Sequence, residues 1–196
     1  MSSRPPTETR QAELDAAALA LASACSPPLT TTADIAAAVG ISQGAVFKHF
    51  ATKDALWQAA MAWVHTTLLA RLEAAEGRAT GPLDAMRAIF MAHVDFVTTH
   101  PGVPRVLFHE LQNPQASPVK QQVQALMSAY QQRLRRLLAV AADQAPGLNR
   151  EAGAALFVGM VQGLVMQAMA SGQLARMSTQ TGLMFTLPLR AIGAGR

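Results

Sequence analysis

The stretch from Thr31 to Lys53, TTADIAAAVGISQGAVFKHFATK, constrains this chain most, because it reads as two short helices joined at a glycine. The first helix is predicted over Asp34 to Val39, with apolar residues one turn apart on one side. Thr32 is placed to cap its start. Gly40 follows the last helical residue, where the backbone turns into a left-handed conformation that favours glycine. The pattern predicts a helix-turn-helix.

The second helix is predicted over Gln43 to Phe50, with Ser42 as its cap. Val46 and Phe50 are four residues apart and are expected to face the first helix. Such a short helix buries one edge only, so its other sides meet solvent or a partner. The outward side is small or basic, which favours DNA as that partner.

Residue types along the second helix suit a duplex. Gln43 can pair with adenine, and the methyl group of Ala45 can touch a thymine methyl. Gly44 adds no bulk between the backbone and the base edges. The basic residues at the end of the helix, Lys48 and His49, and Lys53 beyond it, suit phosphates.

The order of small residues, Val-Gly-Ile, a polar cap and the run KHFATKDAL resembles the signature of TetR-family transcriptional regulators. The resemblance covers about the first 55 residues. Two features depart from the family pattern: Phe47 replaces the usual Tyr, which removes a hydroxyl bond to phosphate, and Ser26-Pro27-Pro28-Leu29 replaces a Gly-aromatic pair. The predicted DNA contacts are Thr31, Thr32, Ser42, Gln43, Gly44, Ala45, Phe47, Lys48, His49 and Lys53.

Composition predicts an all-α protein, because alanine is abundant, aromatic residues are few and no alternating strand pattern occurs. We predict a helix-turn-helix domain over residues 1–52 and a larger helical ligand-binding and dimerisation domain over residues 53–196, with about nine helices in all. This order is that of the TetR family. The other helices are expected over residues 7–24, 52–72, 83–99, 105–111, 118–145, from 149 onward, and 179–192.

Overall charge says little about the partner. The chain carries a formal charge of +4, yet its first 55 residues hold four Lys and Arg against five Asp and Glu. What favours DNA is local, since no acid occurs from Val39 to Lys53. The single cysteine, Cys25, excludes an internal disulfide, and the amino terminus lacks the apolar core of a secretory signal. We therefore expect a cytoplasmic protein.

The uncharged run from Ala152 to Ala175 is long enough to cross a bilayer. It contains three glutamines and four glycines and has no aromatic belt, so a helix of a soluble bundle explains it better. Because the last two helices bury more apolar surface than one chain covers, we predict that they form a homodimer interface. In the family, such pairing sets two recognition helices one DNA turn, about 34 to 36 Å, apart on a pseudo-palindromic operator.

A pocket for a small, largely apolar ligand is predicted in the second domain, where apolar surface is combined with a few polar tips. We expect neither a metal site nor a cofactor, because the histidines lack carboxylates or cysteines at ligand spacing. Ligand entry would shift the fourth helix and oppose operator binding, as in a repressor. The pocket candidates are Phe90, Met91, His93, Arg105, Phe108, His109, Met127, Tyr130, Gln162 and Met166.

Two other functions stay open alongside a ligand-controlled repressor. One is a DNA-binding protein of the same fold without a small-molecule effector, acting in DNA architecture or partner recruitment. The other is a carrier of apolar ligands with a vestigial helix-turn-helix. An enzyme is not expected, since the sequence has no Gly-rich phosphate loop and no nucleophile elbow.

Overall fold

The structure of the chain is a computed structural model that describes residues 7–142 and 149–174, together with 177, 182 and 185. These residues form helices, turns and loops, without a strand, so the all-α prediction is confirmed. The ninth helix predicted over 179–192 falls outside the described residues except at 182 and 185, which are helical. The helices are α1 (Thr7–Leu21), α2 (Thr32–Val39), α3 (Gln43–Val46), α4 (Lys53–Glu76), α5 (Pro82–Thr99), α6 (Gly102–Gln112), α7 (Pro118–Ala142) and α8 (Arg150–Ala170).

The chain divides into two compact units. The first unit comprises Met1–Thr66 and His100–Leu126, and the second comprises Thr67–Thr99 and Met127–Arg196. Helices α4 and α7 therefore contribute residues to both units. The functional boundary at residue 52 stays a prediction.

The core of the first unit is built around α1. Leu14 and Ala18 on α1, Ile35 on α2 and Val46 on α3 are all buried. Helix α1 packs against α2 and also against α6. The helix-turn-helix is thus supported from behind by the first helix.

The core of the second unit is an aromatic cluster. The ring of Phe90 on α5 lies 5.7 Å from that of Phe157 on α8 and 5.4 Å from that of Phe185. Tyr130 on α7 makes an edge contact with Phe157, with ring centroids 6.2 Å apart. Edge-to-face aromatic packing of this kind adds to the stability that burial alone supplies.

Several predicted helix ends were wrong. Helix α1 ends at Leu21 rather than at residue 24. The hydroxyl of Ser23 donates to the carbonyl of Ala20, 2.6 Å away, and such a side-chain bond competes with the backbone hydrogen bonds of a helix. Helix α6 begins at Gly102, before the predicted start at residue 105, because Pro104 in the first turn needs no N–H partner. Helix α4 continues past residue 72 to Glu76.

Helix α3 is also shorter than predicted, ending at Val46 instead of Phe50. Beyond it the N–H of Lys48 donates to the carbonyl of Ala45, and the N–H of His49 to that of Val46. These bonds span three residues, so the chain tightens into turns rather than continuing as α-helix.

Candidate nucleic-acid interface

The start of α2 is fixed by a reciprocal pair of hydrogen bonds. Thr31 has an extended backbone, its Oγ1 accepts from the N–H of Asp34 at 3.1 Å, and its own N–H donates to Asp34 Oδ2 at 2.9 Å. The hydroxyl of Thr31 also donates to that carboxylate, which holds the pKa of Asp34 below its usual value. The prediction of Thr32 as the cap was wrong. The Thr-x-x-Asp spacing of a capping box carries the correct signal.

The turn between α2 and α3 has the conformation predicted for it. Gly40 has φ 72° and ψ 34°, in the left-handed region. The N–H of Ile41 donates to the carbonyl of Ala36 at 2.9 Å, and the N–H of Gly40 to that of Ala37 at 3.1 Å. The last carbonyls of α2 are therefore satisfied as the chain reverses.

Helix α3 turns one side inward and the other to solvent. Val46 and Phe50 are buried, as predicted, and Gln43, Gly44 and Lys48 are exposed. Ala45 and His49 are half-buried, and the cap Ser42, whose Oγ accepts from the N–H of Ala45 at 3.3 Å, is exposed. The ring of Phe47 is an exposed apolar surface beside them, with 48% of the residue accessible. The outward side can therefore approach a duplex without rearrangement of the core.

Two side chains of this surface are held by bonds that the sequence did not reveal. The amide Nε2 of Gln43 donates to Thr32 Oγ1 at 2.7 Å. The Nζ of Lys53 donates to the carbonyl of Pro28 at 2.9 Å, leaving two ammonium hydrogens for a phosphate. Both bonds join segments that are distant in sequence, so local patterns carry no sign of them.

A polar contact joins α1 to the recognition turn. Gln11 Nε2 on α1 donates to the carbonyl of His49 at 3.5 Å. One turn further along α1, Asp15 is only 7% exposed, and burial raises the pKa of its carboxyl to about 7. Among the described residues, neither Asp15 Oδ1 nor His49 Nδ1 has a hydrogen-bond partner. The sequence signal for this buried carboxyl was an acid, Asp15, next to the apolar residue Leu14 on α1.

The predicted pocket residues are divided between the two units. Three lie on α6 in the first unit, with Arg105 exposed and Phe108 and His109 half-buried. The other seven belong to the second unit: Phe90 and Tyr130 are buried, His93, Met127 and Gln162 are half-buried, and Met91 and Met166 are exposed.

Within the second unit, His93 and Tyr130 form a polar pair beside the aromatic cluster. His93 Nδ1 lies 3.1 Å from the hydroxyl of Tyr130. Burial lowers the pKa of His93 to about 4 and raises the pKa of Tyr130. Both side chains are therefore neutral at pH 7. The described residues hold no group of three acids, histidines or cysteines placed to bind a metal ion.

Met91 instead lines an open groove between the end of α4 and α5. The groove has a volume of about 900 Å³, an alanine-rich floor that includes Ala75 and Ala88, and two arginines, Arg71 and Arg78. Arg71 forms an ion pair with Asp95 at 3.5 Å. Sequence pattern gave no sign of these arginines as neighbours, because their proximity depends on how α4 packs on α5.

Helix α8 has an apolar stripe that faces solvent. Leu156 is 52% exposed and Met166 48% exposed, and nothing lies within 4 Å of a methyl group built on Gly159 or Gly163. By length and composition α8 could cross a membrane, and 39% of its apolar window is buried. A core helix of a soluble protein passes the same test, so this feature is weak evidence for a membrane span.

A solvent-facing recognition helix, a glycine turn and a larger helical part define a helix-turn-helix DNA-binding regulator. Residues 15–60 match the family of bacterial regulatory proteins called tetR, and residues 82–186 match the tetracyclin repressor-like C-terminal domain. The second match alone covers more than half of the chain, so the chain belongs to the TetR family. The predicted resemblance is confirmed, and the matching proteins are transcriptional regulators, not enzymes.

One relative shares sequence with part of this chain. The nucleoid occlusion factor SlmA of Haemophilus influenzae (strain PittGG) is 32% identical over 77 residues, which are 39% of this chain and 35% of SlmA. The match thus spans about a third of the length of that relative.

Solved structures show the shared fold over most of the chain. FadR from Bacillus subtilis, bound to stearoyl-CoA, has a TM-score of 0.78 at 13% identity over 90% of this chain and 96% of its own. AibR, bound to isovaleryl coenzyme A and operator DNA, has a TM-score of 0.65 at 20% identity over 83% of this chain and 94% of its own.

Proposed function

We propose that this protein is a cytoplasmic transcriptional repressor whose homodimer binds a pseudo-palindromic operator and releases it when a small, largely apolar ligand binds. The observation that carries the proposal is the outward side of α3, where Gln43, Gly44 and Lys48 are exposed while Val46 and Phe50 are buried. This arrangement presents an exposed polar and basic surface on a helix that enters a major groove in proteins of this class.

Two-fold pairing is supported by the apolar stripe on α8. Leu156, Gly159, Gly163 and Met166 recur at intervals of three and four residues and therefore share one side of the helix. The glycines permit close approach of a second helix, and exposed leucine and methionine supply apolar area. Burial of this stripe against its counterpart would bring two recognition helices to one operator.

The proposed ligand is an acyl thioester or another molecule with an apolar tail. Support comes from the aromatic cluster around Phe90 and Phe157, from the neutral His93–Tyr130 pair, and from the acyl-CoA ligands of FadR and AibR. Because α4 has residues in both units, a displacement of α4 by the ligand would couple the ligand to operator affinity.

The DNA-binding part is tested by titrating the full-length protein against duplexes that cover the region upstream of its own gene, at several salt concentrations. The slope of log affinity against log salt is negative, and Lys48→Ala and Lys53→Ala should each reduce its magnitude by about one, because one phosphate contact is lost. Lys120→Ala is the matched control, since Lys120 Nζ donates to the carbonyl of Asn113 and has no predicted DNA role. Unchanged slopes in both variants would contradict the proposal.

The ligand part is tested by adding isovaleryl-CoA, stearoyl-CoA and the free fatty acids to the operator complex. Loss of operator affinity with one of them supports a ligand-released repressor. An operator complex that none of these compounds weakens favours the second candidate, a DNA-binding protein without a small-molecule effector. The similarity to SlmA, a nucleoid occlusion factor, is the observation that favours this candidate.

A further inference from the structure

One large apolar side chain lies on the outward side of the recognition helix. Phe47 is 48% exposed, whereas its apolar neighbours Val46 and Phe50 are buried. The N–H of Phe47 donates to the carbonyl of Gln43 at 3.4 Å, and its backbone angles, φ −66° and ψ −15°, are helical. The ring therefore lies one turn beyond Gln43, on the same side of the helix.

Phe47 belongs to the surface that is expected to meet the base edges. At about 100° per residue, positions 43, 44, 47 and 48 fall on one side of α3 and the turn that follows it. These four are also the exposed residues between 43 and 50. In this projection Phe47 falls between Gln43 and Gly44, and nothing lies within 4 Å of a methyl group built on Gly44. The ring is thus part of the reading surface and leaves the space over the glycine open.

The chemistry of the ring limits what it can contact on a duplex. A phenylalanine side chain has no N–H or O–H group with which to bind a phosphate or the polar atoms of a base. In the major groove, thymine alone among the four bases presents an apolar group, its C5-methyl. Contact with that group would remove apolar surface of both partners from water. Burial of one group of this size changes affinity by about fourfold.

We infer that Phe47 is a specificity-determining residue whose ring packs against the C5-methyl group of a thymine in each half-site of the operator. This inference rests on the proposed operator binding and adds to it a base that the recognition helix selects. The contact is apolar, so it discriminates between bases without a hydrogen bond.

The experiment first selects an operator, by binding of the full-length protein to a pool of duplexes with randomised central base pairs. In the selected duplex each thymine is then replaced in turn by deoxyuridine, which pairs in the same way and lacks only the C5-methyl group. Fluorescence anisotropy measures the affinity. At one thymine in each half-site, the replacement should weaken binding of the wild type by about fourfold. Phe47→Ala should bind the two duplexes equally at that position and keep the wild-type ratio at every other thymine, including one that Ala45 contacts.

Two variants of equal side-chain length separate apolar contact from bulk. Phe47→Met retains an apolar end and should retain a preference for thymine over deoxyuridine, whereas Phe47→Gln ends in a polar amide and should bind both equally. Leu83→Ala is the control and should keep the wild-type ratio, because Leu83 is an apolar residue of similar exposure, 53%, on α5. Circular dichroism verifies that the variants retain their helices.

The outcomes distinguish this contact from operator binding as such. If no deoxyuridine replacement weakens binding of the wild type, or if every such loss persists in Phe47→Ala, the inference is wrong while the proposed function stands. The same conclusion follows if Phe47→Gln discriminates as well as Phe47→Met. Wild type that selects no sequence from the pool would overturn the proposed function, and this inference with it.

Discussion

A methyl group built on Gly102, the first residue of α6, would lie 1.8 Å from the carbonyl oxygen of Leu19 on α1. It would also lie 2.9 Å from the carbonyl carbon of Leu19. These are main-chain atoms, which cannot move aside as the end of a long side chain can. Glycine is therefore required where α6 meets the helix that supports the recognition motif.

We expect Gly102→Ala to push α6 away from α1 and to lower the free energy of unfolding by about 1 to 3 kcal/mol, as overpacking does in other cores. Chemical denaturation of the purified variant measures this change. Gly81→Ala is the control, because nothing lies within 4 Å of a methyl group at that position. Equal stability of the two variants would show that α1 and α6 separate at little cost.

Gly44→Ala should leave folding intact and weaken operator binding. No atom lies within 4 Å of the added methyl group, so the variant should unfold at the same temperature as wild type or higher. In the complex the methyl group would separate α3 from the base edges, at an expected cost of about 1 kcal/mol or more. Fluorescence anisotropy with a labelled operator measures the loss. Wild-type affinity would place Gly44 away from the DNA.

Asp15→Asn should change how stability depends on pH. The folded protein holds the Asp15 proton up to a pKa of about 7, above the ordinary value of 3.8, so this group contributes stability below pH 3.8 that is lost as pH rises to about 7. Asparagine cannot ionise, so its free energy of unfolding should not fall in this way as pH rises. The difference in that free energy between variant and wild type should therefore be up to roughly 4 kcal/mol more favourable to the variant at pH 8 than at acid pH. Denaturation curves across this range test the prediction, and parallel pH profiles would refute it.

His93→Gln should have the opposite pH signature. Burial lowers the pKa of His93 from 6.5 to about 4, so its contribution is present above pH 6.5 and is lost as pH falls towards 4. Glutamine removes this titration and should reduce the acid loss of stability by up to roughly 3 kcal/mol. The free energy of unfolding of both proteins is measured by denaturation at about pH 4.5 and about pH 7, which lie near the two ends of that pH range. An unaltered acid loss would mean that the imidazole titrates freely.

Leu156→Arg should convert the proposed homodimer to a monomer, because a charge would be placed within the apolar stripe on α8. Sedimentation velocity at micromolar concentration measures the assembly state. Leu83→Arg on α5 is the matched control, since Leu83 is 53% exposed against 52% for Leu156. A Leu156→Arg protein that sediments as a dimer would place the interface elsewhere.

Local pattern was sufficient for the recognition motif. The spacing of Val46 and Phe50 predicted the buried side of α3, and a glycine after an apolar turn predicted the left-handed residue at Gly40. These features depend on residues at most four apart. The bonds from Gln43 to Thr32 and from Lys53 to Pro28 join residues 11 and 25 apart, so they depend on the packing of segments that periodicity does not position.

The same distinction explains the ligand-pocket candidates. Residue type selected Phe90 and Tyr130, which are buried, but also Met91 and Met166, which are exposed. Methionine occurs in cores and on binding surfaces alike. Helix α8 is apolar on every side, so its sequence gives no period from which to separate the inner face from the outer one.

The hydrogen bond from Lys53 to the carbonyl of Pro28 fastens the first residue of α4 to the loop that leads into α2. A displacement of the amino end of α4 would therefore act directly on the segment that precedes the recognition motif, through the side chain of Lys53 alone. Loss of that bond would remove a direct side-chain connection between α4 and the segment that precedes α2.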